Sequence, residues 1–205
     1  MNSFLIYFSQ REASPINLHN MEVQNKMKSE QNNPFARLPE AASFHVTSSD
    51  IPENKVLSAP QLSGKFGVAG GQDISPELKW SGAPEETKSY AVTVYDPDAP
   101  TGSGFWHWAV CNIPANVTQL PSGAGSEDGS GLPNGAIQLN NDASFAGFIG
   151  AAPPVGDGPH RYYFVVHALD VEDIGVQASS TPAFLGFQML THTLGRAVLA
   201  ATFER

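Results

Sequence analysis

Three runs of apolar and β-branched residues dominate the pattern of hydrophobic and polar positions. Ser89–Tyr95 (Ser-Tyr-Ala-Val-Thr-Val-Tyr), Phe105–Ile113 and His160–Leu169 each read as strands, bounded by Gly- and Pro-rich turns. Shorter apolar runs near 44–46, 55–57 and 67–68 suggest further short strands. Residues 121–135 read as a long exposed loop, and 147–159 as a second turn-rich stretch. From Pro182 to Ala200 the spacing changes. Phe184, Leu185, Phe187, Met189, Leu190, Leu194, Val198 and Leu199 recur at helical intervals, predicting one amphipathic helix closing against a sheet. Residues 1–34 are rich in Asn, Gln, Ser and Glu without a sustained period, so the expected organisation is a flexible extension over 1–34 and one domain over 35–205. With 19 glycines and 16 prolines, a mainly β class is expected.

Charge narrows the function classes. The net charge is −9, and 1–34 is balanced, so the whole acidic excess lies in the domain. Between Lys88 and Arg196 the only Lys or Arg is Arg161, which leaves no basic stripe for nucleic acid. No apolar run approaches the ~18 residues of a membrane span. The apolar burst Phe4–Phe8 lacks a basic flank and a cleavage pattern, so no secretory signal and a cytoplasmic location are expected. The single cysteine, Cys111, reads as a buried strand residue.

Candidate chemistry sits in three segments. Asp96-Pro97-Asp98-Ala99-Pro100 is a stiff turn bearing two carboxylates, either a strand cap or a preorganised site. In Phe105-Trp106-His107-Trp108, strand alternation puts both tryptophans on one face and His107 on the other, facing a pocket. The third segment runs from Gly150 through Ala152, Pro153 and Pro154 to His160-Arg161-Tyr162. Small residues there admit a ligand close to the backbone, and alternation pairs His160 with Tyr162. Arg161, isolated in an acidic stretch, needs an acidic partner such as Asp96 or Asp98. The four acids and imidazoles could also hold a metal or do acid–base work, but no Gly-x-Ser-x-Gly or His-Glu-x-x-His signature is present.

In this order, with the upstream Ile74-Ser75-Pro76-Glu77-Leu78-Lys79-Trp80, these segments resemble the phosphatidylethanolamine-binding protein family, which includes the Raf-kinase-inhibitor-like proteins. The Thr101-Gly102-Ser103-Gly104 connection and Gly-Ala-Ala-Pro-Pro look like its bacterial or archaeal branch. The resemblance implies a β-sandwich with Greek-key connections, a few short peripheral helices and an anion pocket. It places Asp96, Asp98, His107, Gly150, Ala152, Pro153, Pro154, His160 and Tyr162 at that pocket; from the turn, strand and charge pattern, Pro97, Pro100, Trp106 and Arg161 are expected to support it. It further implies binding of a phosphate, phosphorylated or carboxylate group without catalysis, cofactor or metal, with hydrolysis of an ester in the same pocket as the alternative. A homodimer, and a kinase or protease partner reached through residues 121–135, are also expected. Phe148 stands where the family commonly has Tyr, and Ala152 where animal members have Gly. Asp96 and Asp98 would orient the histidines and raise their pKa.

Overall fold

The computed structural model describes residues 33–52 and 55–205. Apart from its last two residues, the expected extension over 1–34 lies outside the described residues. Among the described residues the strands are β1 (Ala42–Ser43), β2 (His45–Thr47), β3 (Leu78–Ser81), β4 (Ser89–Asp96), β5 (Phe105–Pro114), β6 (Gln119–Leu120), β7 (Ile137–Gln138), β8 (His160–Leu169) and β9 (Thr193–Phe203), with a short 3-10 helix (Ala59–Gln61) and one α-helix, α1 (Pro182–Met189), before the last strand. They form a six-stranded sheet, ordered β1-β9-β8-β4-β5-β7, and a three-stranded sheet, β2-β3-β6. Only the β1–β9 pair is parallel within these sheets. β4, β5 and β7 follow one another across the large sheet and β8 returns beside β4, which is the Greek-key arrangement.

Period-two alternation explains the layering. Val92 and Val94 of β4, Trp108 and Val110 of β5, and Phe164 and Val166 of β8 turn to one face of the large sheet. There they meet Leu78, Trp80 and Leu120 of the small sheet, and this shared interior makes the fold a sandwich. On the opposite face, Ala91, Ala109, Cys111 and Leu169 pack under Leu185 and Met189 of α1. Burial beside Asp173 raises the Cys111 thiol pKa to about 12.

Helix α1 starts as its sequence directs: the Thr181 side chain accepts from the Phe184 amide, and Pro182 occupies the first turn. It ends at Met189, and the chain then extends into β9 instead of remaining helical to Ala200. The reason is tertiary. β9 pairs with β8 from Leu169↔Thr193 to His160↔Phe203, and its inward row of Gly195, Ala197, Leu199 and Ala201 is mostly too small to show alternation. Residues 121–135 also depart from a wholly exposed loop. Ala124 is buried, and the Gly125 amide donates to Ser75 Oγ while its carbonyl accepts from Phe148, so the loop dips into the core at its middle.

Phe164, fully buried at the centre of β8, touches the shared interior of both sheets. Phe164→Ala is expected to cost about 3–5 kcal/mol, read as a lower urea midpoint at unchanged m-value.

Candidate functional site

Antiparallel pairing of β4 with β8, Tyr95 opposite Tyr163, brings the end of one strand beside the start of the other. Asp96 continues the inward row of β4, and His160 and Tyr162 continue that of β8, so all three enter the same space at the edge of the core. Asp96 is 3% exposed and His160 1%. His160 Nδ1 donates to Asp96 Oδ2 at 2.8 Å, and Nε2 donates to Asp157 Oδ2 at 3.0 Å. Ionised carboxylates only accept, so a ring between two of them carries both protons and a positive charge. Burial works against that charge, but the hydrogen bonds and charges of Asp96 and Asp157 outweigh it and raise the His160 pKa above the ordinary histidine value. The other Asp96 oxygen accepts from the amides of Asp98 and Ala99, at 2.8 and 3.0 Å. Pro97 and Pro100 stiffen this Asx turn.

His107 arrives by a β-bulge. Tyr95 stands opposite Trp106 and Val94 opposite Trp108, so His107 is an extra residue on β5. The bulge breaks the alternation expected from sequence, and the two tryptophans separate. Trp108 enters the core, where its ring meets Phe148 edge-on and its Nε1 donates to Gln138 Oε1 at 2.7 Å. Trp106 lies against Tyr95 on the opposite face of the sheet, with ring centroids 4.3 Å apart. His107 turns inward beside Trp108. Its Nδ1 donates to the Ile149 carbonyl at 2.8 Å, which fixes the tautomer and leaves Nε2 as a lone-pair acceptor. Burial lowers the His107 pKa despite the raising influence of Ile149 and Asp96, so this imidazole is neutral where His160 is charged. The expectation that the acids raise both histidines is corrected here for His107.

Tyr162 is 1% exposed, meets His107 edge-on, and its hydroxyl has no hydrogen-bond partner among the described residues. Burial, reinforced by Asp96 and Asp98, raises its pKa, so the hydroxyl stays a donor. Asp96, His107, His160 and Tyr162 line a hollow of about 170 Å³ together with Pro100, Ala152, Pro153 and Pro154. Phe66, Ala99, Thr101 and Phe105 complete the wall; they carry no polar signature that would have marked them in the sequence, Thr101 excepted. Asp157, also missed, reveals itself only through its contact with His160.

Other expected site residues lie behind the hollow instead of lining it. Asp98 is bound by Arg161 through Nε at 2.7 Å, Nη2 at 2.8 Å and the backbone amide at 3.0 Å, which ties the turn to β8. Arg161 thus has the acidic partner its isolation called for, and Asp98 orients no histidine. The Arg161 interactions outweigh the effect of burial and hold the Asp98 pKa below the usual carboxylate value. Gly150 donates its amide to Asp73 Oδ1 at 2.8 Å, and a Cβ on it would collide with the Leu62 backbone. Ala151 exchanges backbone hydrogen bonds with Gln61 and Ser63, while Arg205 Nε donates to the Pro153 carbonyl at 2.6 Å. The Ala-Ala-Pro-Pro wall is therefore anchored from behind. Among the described residues, no group of three or more His, Cys, Asp and Glu side chains is placed to hold a metal ion.

Residues 47–204 match the family model for phosphatidylethanolamine-binding protein. The chain belongs to the phosphatidylethanolamine-binding protein family. It is 51% identical over 165 residues to UPF0098 protein YbcL of Escherichia coli K12, covering 80% of this chain and 90% of that one. UPF0098 protein YbhB of the same organism is 49% identical over 159 residues, 78% of this chain and 99% of YbhB. The crystal structure of E. coli YbcL aligns with a TM-score of 0.76 at 50% identity, covering 80% of this chain and 99% of that one. Both the family fold and its bacterial YbcL branch are thereby established for this phosphatidylethanolamine-binding family member.

Arg161→Ala is expected to cost on the order of 3 kcal/mol by stranding the buried Asp98 carboxylate. Because Asp98 titrates lower when folded, the stabilisation is present above the unfolded carboxyl pKa of about 4 and is lost as pH falls through the folded value. Urea midpoints of the parent and variant should therefore converge in acid. Gly150→Ala should cost about 1–3 kcal/mol, with the melting temperature as the readout.

Proposed function

We propose that this family member binds a small oxyanion, a phosphate monoester or a carboxylate, in the hollow between Asp96, His107, His160 and Tyr162, and releases it unchanged. The observation carrying this reading is the Tyr162 hydroxyl, a buried donor with no protein partner, on a wall shared with a doubly hydrogen-bonded His160. Burying an unpaired hydroxyl costs about 1–3 kcal/mol, and a ligand oxygen would recover it. The family's name supports a phosphate headgroup as one such ligand.

Local charge sets the form of the ligand. Asp96 and Asp157 flank His160, so a dianion would meet net repulsion. Asp157 occupies His160 Nε2 as a surrogate anion. Its side chain is 32% exposed, and it sits between Gly156 and Gly158, both at positive φ, so solvent already reaches this contact. A monoanion that displaces Asp157 exchanges one negative charge for another at the same nitrogen. The protonated oxygen of a phosphate monoester monoanion can donate to His107 Nε2 while Tyr162 donates to a second oxygen.

The Asp96–His160 pair resembles the acid–imidazole half of a hydrolytic triad, which keeps ester hydrolysis as the second reading. Against turnover, His160 Nε2 meets the Asp157 carboxylate where a triad presents a nucleophile, and the Thr101 hydroxyl is committed to the Gly104 carbonyl.

Titration calorimetry with O-phosphoethanolamine should show affinity falling as pH rises. The phosphate becomes dianionic near pH 6, and the His160 charge, intact at low pH, is lost through its raised pKa. Affinity that does not change with pH would reject the proposal. Tyr162→Phe should weaken binding about tenfold, the equivalent of one hydrogen bond. Release of p-nitrophenol from its phosphate or acetate ester above the buffer rate would favour hydrolysis instead.

A further inference from the structure

A second cavity lies on the other face of the six-stranded sheet, away from the oxyanion hollow. It encloses about 430 Å³, a size suited to one small organic ligand. Its sheet side is Thr93, Tyr95, Tyr163 and Val165; Gly186, Phe187 and Leu190 border it from the helix side, and Phe35 stands edge-on to Tyr163 at a centroid distance of 5.5 Å. The lining is mainly apolar apart from the Thr93 and Thr193 hydroxyls and two nitrogen-bearing side chains that face each other across the β8–β9 ladder, His167 and Arg196.

Both carry unmet hydrogen-bonding capacity. His167 is 6% exposed; its Nε2 lies 3.1 Å from Thr93 Oγ1, and its Nδ1 has no partner among the described residues. Arg196 donates from Nη1 to the Pro39 carbonyl at 2.8 Å, but among the described residues its buried Nε has no hydrogen-bond partner and no carboxylate forms an ion pair with it. Burial, followed by the Arg196 charge, depresses the His167 pKa to about 3, so His167 is neutral and Arg196 is the cation of this cavity. With the Thr93 hydroxyl donating to Nε2, Nδ1–H becomes a second donor beside the guanidinium. A half-buried guanidinium lacking a counter-charge is costly, and a carboxylate is the anion whose planar pair of oxygens matches it.

We propose that this cavity is a second binding site, taking a monocarboxylate with an apolar body: the acid group on Arg196 and His167, and the hydrocarbon along Tyr95, Val165 and Phe187. Nothing in this assignment depends on the oxyanion hollow.

The full chain should be titrated with decanoate and with 1-decanol. One saturable decanoate site is expected, with the alcohol bound about tenfold more weakly, the loss of one charge-assisted contact. Arg196→Gln should lower decanoate affinity to that of decanol and leave decanol unaffected. A Cβ on Gly186 would meet no atom within 4 Å, so Gly186→Leu should fill the cavity without disturbing the helix and abolish both bindings. If Arg196→Gln does not fold, the acid–alcohol comparison and Gly186→Leu decide the matter alone. Excess O-phosphoethanolamine should not displace decanoate. Equal affinity for acid and alcohol, insensitivity to Arg196→Gln, or no saturable binding would overturn the proposal. So would a sedimenting dimer that Gly186→Leu dissociates in protein that does not bind decanoate, which would assign the cavity to a second copy of the chain.

Discussion

A carboxylate withdrawn from water must have its lone pairs engaged, and at Asp96 that requirement joins two distant parts of the chain. One oxygen fastens the turn that follows β4, and the other fastens the first residue of β8. Without these bonds the buried charge would cost several kcal/mol. The same bonds define the geometry around the hollow, because the turn supplies Ala99, Pro100 and Thr101 and the strand supplies His160 and Tyr162. Asp98 and Arg161 repeat the connection on the outer side of the same two segments. The turn is thus held from both faces, and its rigidity is a product of paired charges as much as of its prolines.

Two imidazoles about one space are driven to opposite protonation states by their neighbours. His160 sits between acids and holds its proton; His107 sits under a carbonyl in an apolar surround and gives up charge. Identical side chains therefore offer different chemistry, a cationic anchor and a neutral acceptor. The β-bulge is what places the second beside the first, at the expense of regular pairing in β5.

Much of this was legible from the residues. The three long strands, the Asp-Pro turn, the His160–Tyr162 alternation and the need of Arg161 for an acid all follow from local pattern and charge. What escaped has physical causes. The bulge at His107 depends on pairing with β4, which no local period records. β9 hides because its inward positions are Gly195, Ala197 and Ala201, residues that give little contrast between faces. Asp98 and Asp96 look equivalent in sequence, and only the register of β8 assigns one to Arg161 and the other to His160. Asp157, between two glycines, resembles any turn acid until His160 is seen beside it.

Cys111 lies beneath α1 with no exposed surface, and its thiol pKa is about 12. A sulfur that ionises only in strong base and cannot be reached by an oxidant takes no part in thiolate chemistry while the fold is intact. The folded domain is accordingly indifferent to the glutathione balance around it, and alkylating reagents should report on this residue only when the sheet has come apart.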